Sequence, residues 1–437
     1  MRIAYIVPGS GNTFYCQNCV RDLTLVRALR HAGHDVLQVP MYLPLFGDEG
    51  APQRSAPVFY GAIRIYLEQH WRWLSKAPAW VGRLLDAPPL LRLAARKAGS
   101  TRAHGLEEMT LSMLRGEAGQ QAAELNRLTD WLEQAGFRAD VVHISNALLL
   151  GMAGAIKRRL NVPIVCSLQD EDTWVDAMQP DKAQEIWDLM AEKAKGIDAF
   201  CAVSHYYAAL MRPRLRFAPE RSRVIPVGID TEGHDPAPLT FDPPVIGFLS
   251  RLARSEGFGL LAEAFAILKK DARFKTLKLA ATGGHTGDDH RLLHEVRRRL
   301  RRQNAEGDLL VSVQFDRPRR LAFLQSLSVL SVPVLKGDAC GAYLLEAMAS
   351  GVPCVQPRLG AFPEILDATG GGVLYDHNEP AALAEALKAL LLDPAAARRL
   401  GAQGREAVLK NFRAERVAEQ LAGVYRSVAP GNVEERR

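Results

Sequence analysis

Short apolar runs alternate with helical patterns along most of the chain. Before Asp230 the strand-like runs are RIAYIVP (2–8), DVLQVP (35–40), DVVHIS (140–145), PIVCSL (163–168), AFCAVS (199–204) and SRVIPVG (222–228). After residue 244 they are VIGFLS (245–250), LKLAAT (277–282), LLVSVQF (309–315), LSVLSVPV (327–334) and PCVQP (353–357). Strands that alternate with helices are typical of parallel α/β sheets. The pattern therefore predicts an α/β fold of two Rossmann-like, doubly wound domains.

A proline-rich polar stretch, TEGHDPAPLTFDPP at 231–244, separates the two sets of runs and is typical of an interdomain linker. We expect an N-terminal domain over 1–235 and a C-terminal domain over 244–412. The chain has 437 residues, which is too long for one hydrophobic core and agrees with two domains. Two open sheets joined in this way predict a cleft at the carboxyl ends of their strands, where α/β folds bind ligands.

Residues 51–135 interrupt the alternation of strand-like and helical patterns and predict a helical insertion in the first domain. Tryptophan and basic residues interleave there in HWRWLSKAPAWVGRLLDAPPLLRLAARK, residues 70–97. Such a composition suits the surface of an anionic membrane or a lipid acceptor. It equally suits an amphipathic insertion packed on the first domain with a solvated basic face. Nucleic acid is not expected as a partner, because no recognised binding motif accompanies the charge.

Composition and charge limit the cellular compartment and the kinds of partner that we expect for this protein. A net charge of +6 favours anionic partners such as phosphate esters, unless it is a chance excess of arginine. The N-terminus reads as a strand rather than a signal peptide, and no run of 18 apolar residues occurs. The six cysteines are scattered, which indicates a reducing compartment. We therefore expect a cytoplasmic protein, with a peripheral position on the inner face of the membrane left open.

Cys16 and Cys19 form the one close cysteine pair, a CxxC motif. It can be a redox pair, half of a zinc site or part of a packed loop. A closed zinc site needs four ligands, and no second CxxC or HxxxH motif supplies the other two. No metal site is therefore predicted.

Two segments near the beginnings of the domains could hold a phosphate. In PGSGNTFY (8–15), Gly9 and Gly11 would let backbone N–H groups approach an anion, as helix-start loops do. The third glycine of a dinucleotide fingerprint is missing, so a plain turn is an equal alternative. In the second domain Arg251 and Arg254 precede a helix that begins near Phe258, and guanidinium groups suit a diphosphate.

A third segment, GDACGAYLLEAMASGVPCVQP at 337–357, places Asp338 and Glu346 around the start of an apolar helix. The backbone N–H groups of Cys340, Gly341 and Ala342 begin that helix and favour an anion nearby. An N-cap role explains Asp338 but not Glu346, which lies about one turn inside. Glu346 leans back toward the helix start and could accept from ribose hydroxyls, while Asp338 could accept from a sugar hydroxyl. Phosphate on the backbone with hydroxyls on two acids describes a nucleotide-sugar.

These motifs resemble those of the family 4 glycosyltransferases, retaining enzymes of GT-B fold. The resemblance covers nearly the whole chain and is strongest in AVSHYYAALM (202–211), RVIPVGID (223–230), RLARSEG (251–257) and residues 337–366. In that last segment the family has a pair of glutamates eight positions apart, which corresponds here to Asp338 and Glu346. The pair is followed by a helix end at Ala347 to Pro353 and a turn at Gly360 to Glu364.

The resemblance implies sugar transfer from a nucleotide-diphosphate sugar to a carbohydrate or lipid-linked acceptor, without a cofactor or a metal. Glu346 would hold the donor ribose, Asp338 the transferred sugar, and Arg251 the diphosphate. A closing segment, 413–437, with a helix over about 414–428, would cross back to the N-terminal domain.

The sequence departs from the family at three site positions. Asp338 replaces a glutamate and reaches one methylene less far, and Glu256 stands where the family has a diphosphate-binding lysine. We expect Arg254 to supply the missing charge, with Glu256 turned to solvent or paired with it. A catalytically degenerate relative, acting as a nucleotide-sugar-binding regulator or scaffold, is therefore the alternative function.

The third departure is Ser145, where many members have the second histidine of an H-x-H motif. His143 and Asn146 remain as candidate acceptor-side residues. His143 is equally a hydrogen-bonded strand histidine without a catalytic role. The cluster QDED (169–172) could supply an acceptor-side carboxylate instead.

Overall fold

The computed structural model of the chain describes residues 1–9, 14–42, 59, 103, 105–134 and 136–429. These fall into two compact units. Unit 1 comprises the described residues of Met1–Asn12, Asn18–Pro226 and Val417–Arg437. Unit 2 comprises those of Thr13–Gln17 and Val227–Arg416.

Unit 1 is built on a six-stranded sheet in which every pair of neighbouring strands is parallel. The strands are β1 (Arg2–Val7), β2 (Asp35–Pro40), β3 (Val141–Ile144), β4 (Ile164–Leu168), β5 (Ala199–Ala202) and β6 (Ser222–Val224). Their order across the sheet is β2-β1-β3-β4-β5-β6. The inner strands β3, β4 and β5 are buried throughout, as expected for a sheet covered on both faces.

The helices of unit 1 connect these strands. They are α1 (Gln17–His31), whose first residue belongs to unit 2, α2 (Glu107–Arg115), α3 (Ala122–Gln134), α4 (Ala153–Leu160), α5 (Glu171–Val175), α6 (Pro180–Ala194) and α7 (His205–Leu215). Helices α2 and α3 lie in the described part of the predicted insertion. The tryptophan-rich stretch 70–97 lies outside the described residues.

Unit 2 repeats the architecture with a second parallel sheet. Its strands are β7 (Val245–Leu249), β8 (Lys278–Thr282), β9 (Leu309–Ser312), β10 (Val329–Leu330), β11 (Cys354–Pro357) and β12 (Gly372–Tyr375). Their order is β12-β11-β10-β7-β8-β9. The two sheets confirm the predicted fold class of two doubly wound domains, and each strand-like run of the sequence contains one strand. The sequence pattern missed β12, because GVLY is short and follows two glycines.

The helices of unit 2 cover both faces of this sheet, as strand-helix alternation in a parallel sheet requires. They are α8 (Phe258–Leu268), α9 (His290–Arg301), α10 (Arg317–Gln325), α11 (Ala342–Ala349), α12 (Phe362–Thr369), α13 (Pro380–Leu391) and α14 (Pro394–Asn411). A last helix, α15 (Ala414–Val428), begins in unit 2 and belongs to unit 1 from Val417 onward. Among the described helices, none combines the length and the apolarity needed to cross a bilayer.

The proline-rich stretch 231–244 packs into unit 2. His234 is buried and its Nδ1 lies 2.8 Å from Ser350 Oγ, while the Ala237 N–H donates to Ser350 O at 2.7 Å. The compact units divide at Pro226 and Val227, earlier than the boundary predicted at 235. The stretch contains apolar and hydrogen-bonding residues as well as prolines. These residues explain why it packs into unit 2 instead of forming an extended linker.

The loop before α8 is held close to the chain after β10. Gly257 has a φ of 78°, and a Cβ there would lie 1.8 Å from Pro333 O. The neighbouring Leu335 N–H donates to Ser255 O at 2.9 Å. Only glycine fits this combination of a left-handed conformation and close backbone contact. Gly257 therefore holds the loop against the backbone after β10, directly before α8 begins.

We expect Gly257→Ala to lower the free energy of unfolding by at least about 2 kcal/mol, because the substitution adds backbone strain and a steric clash. Urea denaturation of purified protein measures the loss. Gly307→Ala is the matched control, since no atom lies within 4 Å of a Cβ at that position. An equal effect of the two substitutions would contradict the proposed constraint.

Candidate active site

Asp338 bonds backbone N–H groups of its own loop, just before helix α11 begins. Its Oδ1 accepts the backbone N–H of Cys340 at 2.8 Å and that of Gly341 at 2.9 Å. Gly341 has a φ of 56°, which turns the chain into the helix. Aspartate oxygens often bond backbone N–H groups two and three residues ahead in this way. The N-cap residue of α11 is nevertheless Gly341, without a side-chain cap bond, so the N-cap role expected for Asp338 is wrong and its bonds lie in the loop before the helix.

The second oxygen of Asp338 is bonded as well. Oδ2 accepts from the Tyr343 hydroxyl at 2.6 Å and from Gln17 Nε2 at 3.1 Å. Burial, together with the charge of Asp338, raises the pKa of Tyr343 well above its ordinary value. Tyr343 thus stays a donor at any ordinary pH, and Asp338 has four hydrogen bonds from protein groups.

Glu346 lies inside unit 2 with a counter-charge. Its Oε1 accepts from Arg320 Nε at 3.1 Å, and its Oε2 accepts from the Tyr15 hydroxyl at 3.0 Å. The side chains of Arg320 and Glu346 are each 6% exposed, so this is a buried ion pair. Burial and the neighbouring Glu346 raise the pKa of Tyr15, while the Arg320 guanidinium lies 5.5 Å from the Tyr15 ring centroid. Loss of either charge would leave the other buried without a partner, which is costly.

The backbone donors predicted to hold an anion are engaged by side chains of the chain itself. The N–H groups of Cys340 and Gly341 donate to Asp338, and the Ala342 N–H donates to Gln17 Oε1 at 2.9 Å. Cys340 Sγ lies 3.3 Å from the same Gln17 oxygen. An anion at this helix start would therefore have to replace Gln17 at Ala342.

Arg251 and Arg254 have different surroundings. Arg251 donates to both oxygens of Asp289, from Nε at 2.9 Å and from Nη2 at 3.2 Å. Asp289 also accepts from Thr286 in a capping box. The Arg254 side chain is 72% exposed and donates to Glu295 at 2.8 Å. Arg251 is thus positioned within the unit, whereas Arg254 points toward solvent.

Glu256 is half-buried and bonded to two serines. Its Oε2 accepts from Ser250 Oγ at 3.1 Å, and its Oε1 accepts from Ser255 Oγ at 3.0 Å. The prediction that Glu256 faces solvent or pairs with Arg254 is wrong, because Arg254 pairs with Glu295 and the serines hold the carboxylate. Burial raises the pKa of Glu256, and the nearby charge of Asp338 raises it further.

His143 in strand β3 lies within the core of unit 1. It is completely buried, its Nε2 lies 2.9 Å from Ser167 Oγ, and its Nδ1 lies 2.8 Å from the Tyr425 hydroxyl. Its ring stacks on that of Tyr5 with centroids 4.3 Å apart. Burial lowers the pKa of His143 well below its ordinary value, and the charge of Arg21 adds to this. The contacts are those of a neutral structural histidine.

Asn146 also has protein partners. Its Oδ1 accepts the Leu148 N–H at 2.8 Å and its Nδ2 donates to Gln169 O at 3.3 Å. These bonds cap the turn that follows β3 and connect it to the end of β4. The side chain is only partly buried, so a hydroxyl-positioning role for Asn146 stays a prediction.

The QDED cluster contains one structural carboxylate and one that is more accessible. Glu171 is completely buried and accepts from the N–H of Ala147, the N–H of Gln169 and the Tyr207 hydroxyl, each at 2.8 Å. Burial raises the pKa of Glu171 to about 7. Asp170 is only partly buried, in a left-handed conformation with a φ of 61°.

The glycine and cysteine candidates near the N-terminus differ in outcome. Gly9 has a φ of 92°, which glycine tolerates, while Gly11 lies outside the described residues. Cys16 and Cys19 are both disulfide-bonded, which the reducing compartment expected from the scattered cysteines does not favour. A disulfide sulfur has no thiolate to offer a zinc ion. The other four cysteines are buried.

Burial of Glu171 makes the stability of unit 1 depend on pH. Its carboxyl has a pKa of about 7 in the fold and 4.5 as its ordinary value, so ionisation is harder in the folded state. The stability that it contributes is present below pH 4.5 and is lost as the pH rises through 7. At about 1.4 kcal/mol per pKa unit, the loss is about 3 kcal/mol.

We expect Glu171→Gln to remove this loss. Urea denaturation at several pH values should show the free energy of unfolding of the parent falling, relative to that of the variant, between pH 4.5 and 8. Glu192→Gln, at an exposed position of α6, is the matched control. A pH-independent difference between parent and Glu171→Gln would show that the carboxyl titrates normally.

Comparisons with known proteins agree on one family. A model described as "Glycosyltransferase Family 4" matches residues 23–233, and one described as "Glycosyl transferases group 1" matches residues 243–393. N-acetyl-alpha-D-glucosaminyl L-malate synthase of Bacillus anthracis is 33% identical over 25% of this chain and 28% of its own length. Alpha-maltose-1-phosphate synthase of Mycolicibacterium smegmatis is 27% identical over 67% of this chain and 80% of its own.

A solved structure shares the fold across both units. Anabaena HepE, in complex with UDP and glucose, matches with a TM-score of 0.67 and 16% identity, over 98% of this chain and 100% of that one. At this identity the likeness concerns the fold alone.

Proposed function

Because the chain belongs to the family 4 glycosyltransferases, we propose that it transfers a sugar, with retention, from a nucleotide-diphosphate sugar to a carbohydrate or lipid-linked acceptor. It is an enzyme of the GT-B fold class. The observation that carries the donor side of this proposal is the arrangement at the start of α11. Two buried acids, Asp338 and Glu346, flank a helix N-terminus there, within the same unit as Arg251.

The donor would bind to unit 2 through groups of complementary chemistry. Glu346 would accept from the ribose hydroxyls, Asp338 from a hydroxyl of the transferred sugar, and Arg251 would hold the diphosphate. Negative charge develops on the leaving diphosphate, and fixed positive charge and backbone dipoles stabilise it without reorganising. Uridine is a reasonable base for a first test, since the solved HepE structure is a complex with UDP and glucose.

Glu256 requires a separate account, because a carboxylate near a diphosphate repels it. The pKa of Glu256 is already raised in the fold, and an approaching diphosphate would raise it further. We propose that Glu256 is protonated when the donor binds, so that its carboxyl donates a hydrogen bond to a phosphate oxygen. This would restore a donor at the position where the wider family has lysine.

The acceptor would bind to unit 1. Asp170 is the proposed acceptor-side carboxylate, because Glu171 is bonded on both oxygens and buried. His143 would position the end of β3 instead of contacting substrate, and Asn146 would hold the adjoining turn. The acceptor itself is defined here only by class.

We expect donor affinity to depend on Glu346 more than on Asp338, since Glu346 lies on a helix and Asp338 lies in a loop whose backbone N–H groups it already bonds. Glu346→Gln should weaken UDP binding by about tenfold or more, the usual size for a hydrogen bond to a charged group. Asp338→Asn should weaken UDP binding less, because UDP lacks the transferred sugar that Asp338 is proposed to hold. Calorimetric titration of folded variants measures both, and Glu263→Gln, on an exposed part of α8, is the matched control.

Equal and negligible losses would remove the donor site from α11. Turnover separates the enzyme from the degenerate alternative: release of UDP from UDP-glucose, even by slow hydrolysis, is expected of the enzyme. Tight nucleotide binding without release from any of a panel of nucleotide-sugars would favour the regulator or scaffold.

We further propose a cytoplasmic location with contact between the basic stretch 70–97 and the anionic inner face of the membrane. The support is the interleaving of tryptophan with arginine and lysine in that stretch. The protein should co-sediment with phosphatidylglycerol vesicles and be released by 1 M salt, since the Debye length falls to about 3 Å there. Phosphatidylcholine vesicles are the control. Absence of salt-sensitive binding to the anionic vesicles would return the stretch to the role of a packed insertion.

A further inference from the structure

We propose that residues 14–17, here called the Tyr15 segment, mimic the nucleotide-sugar donor and occupy its binding groups on α11 until the donor displaces them. The inference rests on the donor site of the proposed function. Residues of this segment bond Glu346, Asp338 and the Ala342 N–H, which are three of the groups assigned to the donor. The segment belongs to the same compact unit as α11.

The chemistry of the segment matches that of the donor group by group. The Tyr15 hydroxyl donates to Glu346, as a ribose hydroxyl would. The Gln17 amide nitrogen donates to Asp338, as a sugar hydroxyl would. The Gln17 carbonyl oxygen accepts from the Ala342 N–H, as a phosphate oxygen would. Each donor or acceptor of the segment therefore stands in for one of the same kind in the donor.

Burial makes the two occupants mutually exclusive. Tyr15 is 3% exposed, Glu346 is 5% exposed and Asp338 is 7% exposed. A ribose hydroxyl cannot take the bond to Glu346 Oε2, nor a sugar hydroxyl the Gln17 bond to Asp338 Oδ2, while Tyr15 and Gln17 hold them. Binding of the donor must therefore include movement of the segment.

The segment is also fixed along its backbone and over Arg251. Phe14 forms an antiparallel bridge with Gly284, and the Tyr15 N–H donates to Gly283 O at 2.7 Å. The Arg251 guanidinium lies 5.6 Å from the centroid of the Phe14 ring. The segment thus contacts the proposed diphosphate arginine as well as both acids.

Displacement is an exchange of similar hydrogen bonds, so it is feasible at ordinary donor concentrations. When only the open state binds ligand, the apparent Kd is the intrinsic Kd divided by the open fraction. Removing one hydrogen bond to a charged group shifts such an equilibrium by about tenfold or more. Weakening the segment should therefore tighten donor binding, whereas weakening a true donor contact would loosen it.

The test measures UDP affinity of Tyr15→Phe and Gln17→Ala by calorimetry on the full chain, with ADP and GDP alongside. We expect each substitution to lower the Kd about tenfold. Tyr375→Phe and Gln303→Ala are matched controls: Tyr375 bonds Asn378 and Gln303 is exposed, both apart from the α11 start. Neither control should change the Kd.

A second measurement needs no substitution. Hydrogen exchange of the parent protein should show the Tyr15 amide losing protection at saturating UDP, because its bond to Gly283 O breaks when the segment leaves. The Ala342 amide should stay protected, since a phosphate oxygen replaces Gln17 there.

Weaker or unchanged UDP binding in both variants, with the Tyr15 amide still protected, would overturn this inference and leave the donor site intact. Failure of the parent and of both variants to bind any of the three nucleotides would overturn the donor site as well. Tighter binding in the variants supports both.

Discussion

The buried ion pair of Glu346 and Arg320 is the interaction on which the proposed donor site depends. A carboxylate removed from water is tolerated only with a counter-charge and further hydrogen bonds. Arg320 supplies the charge from α10, and Tyr15 supplies the second bond. The pair thus joins α10 to the interior of α11, a mostly apolar helix. Without Arg320 the acid one turn inside α11 would lose its counter-charge.

Around this pair the acids of unit 2 are individually compensated. Asp338 has four protein donors, Asp289 holds Arg251 by two bonds, and Glu256 rests on two serine hydroxyls. A site of this kind has little net positive charge to attract a diphosphate by long-range forces. Its affinity must come from specific replacement of existing bonds, which is the situation that a donor-mimicking segment creates.

The sequence predicted what depends on local pattern. Both sheets and the start of α11 follow from periodicity and glycine placement. The partners could not be predicted in this way: Tyr15 and Glu346 are 331 residues apart, and Gln17 and Asp338 are 321 apart. The pairing of Arg254 with Glu256 was wrong for a related reason. Proximity in sequence favoured it, but Arg254 pairs with Glu295 of α9, which is 41 positions away in the sequence.

His143 shows why a motif alone does not establish a catalytic role. A histidine at the end of a buried strand has the same sequence signature whether it faces substrate or core. The difference lies in Tyr425, a residue of α15 that belongs to the same unit but is 282 positions away. Only the fold shows that both ring nitrogens are bonded.

The aspartate at position 338 is not a defect of the site. Its side chain is shorter than that of glutamate, but the shorter side chain stabilises the local backbone. An aspartate oxygen can bond backbone N–H groups two and three residues ahead, and Asp338 does so at 2.8 and 2.9 Å. A glutamate has one more methylene and fits this short ring poorly, which is why aspartate and asparagine dominate such turns. The shorter acid therefore fixes the backbone of 340 and 341 and leaves only Oδ2 facing Gln17 and Tyr343. Through that one oxygen a sugar hydroxyl could still be held, once the amide of Gln17 has left it.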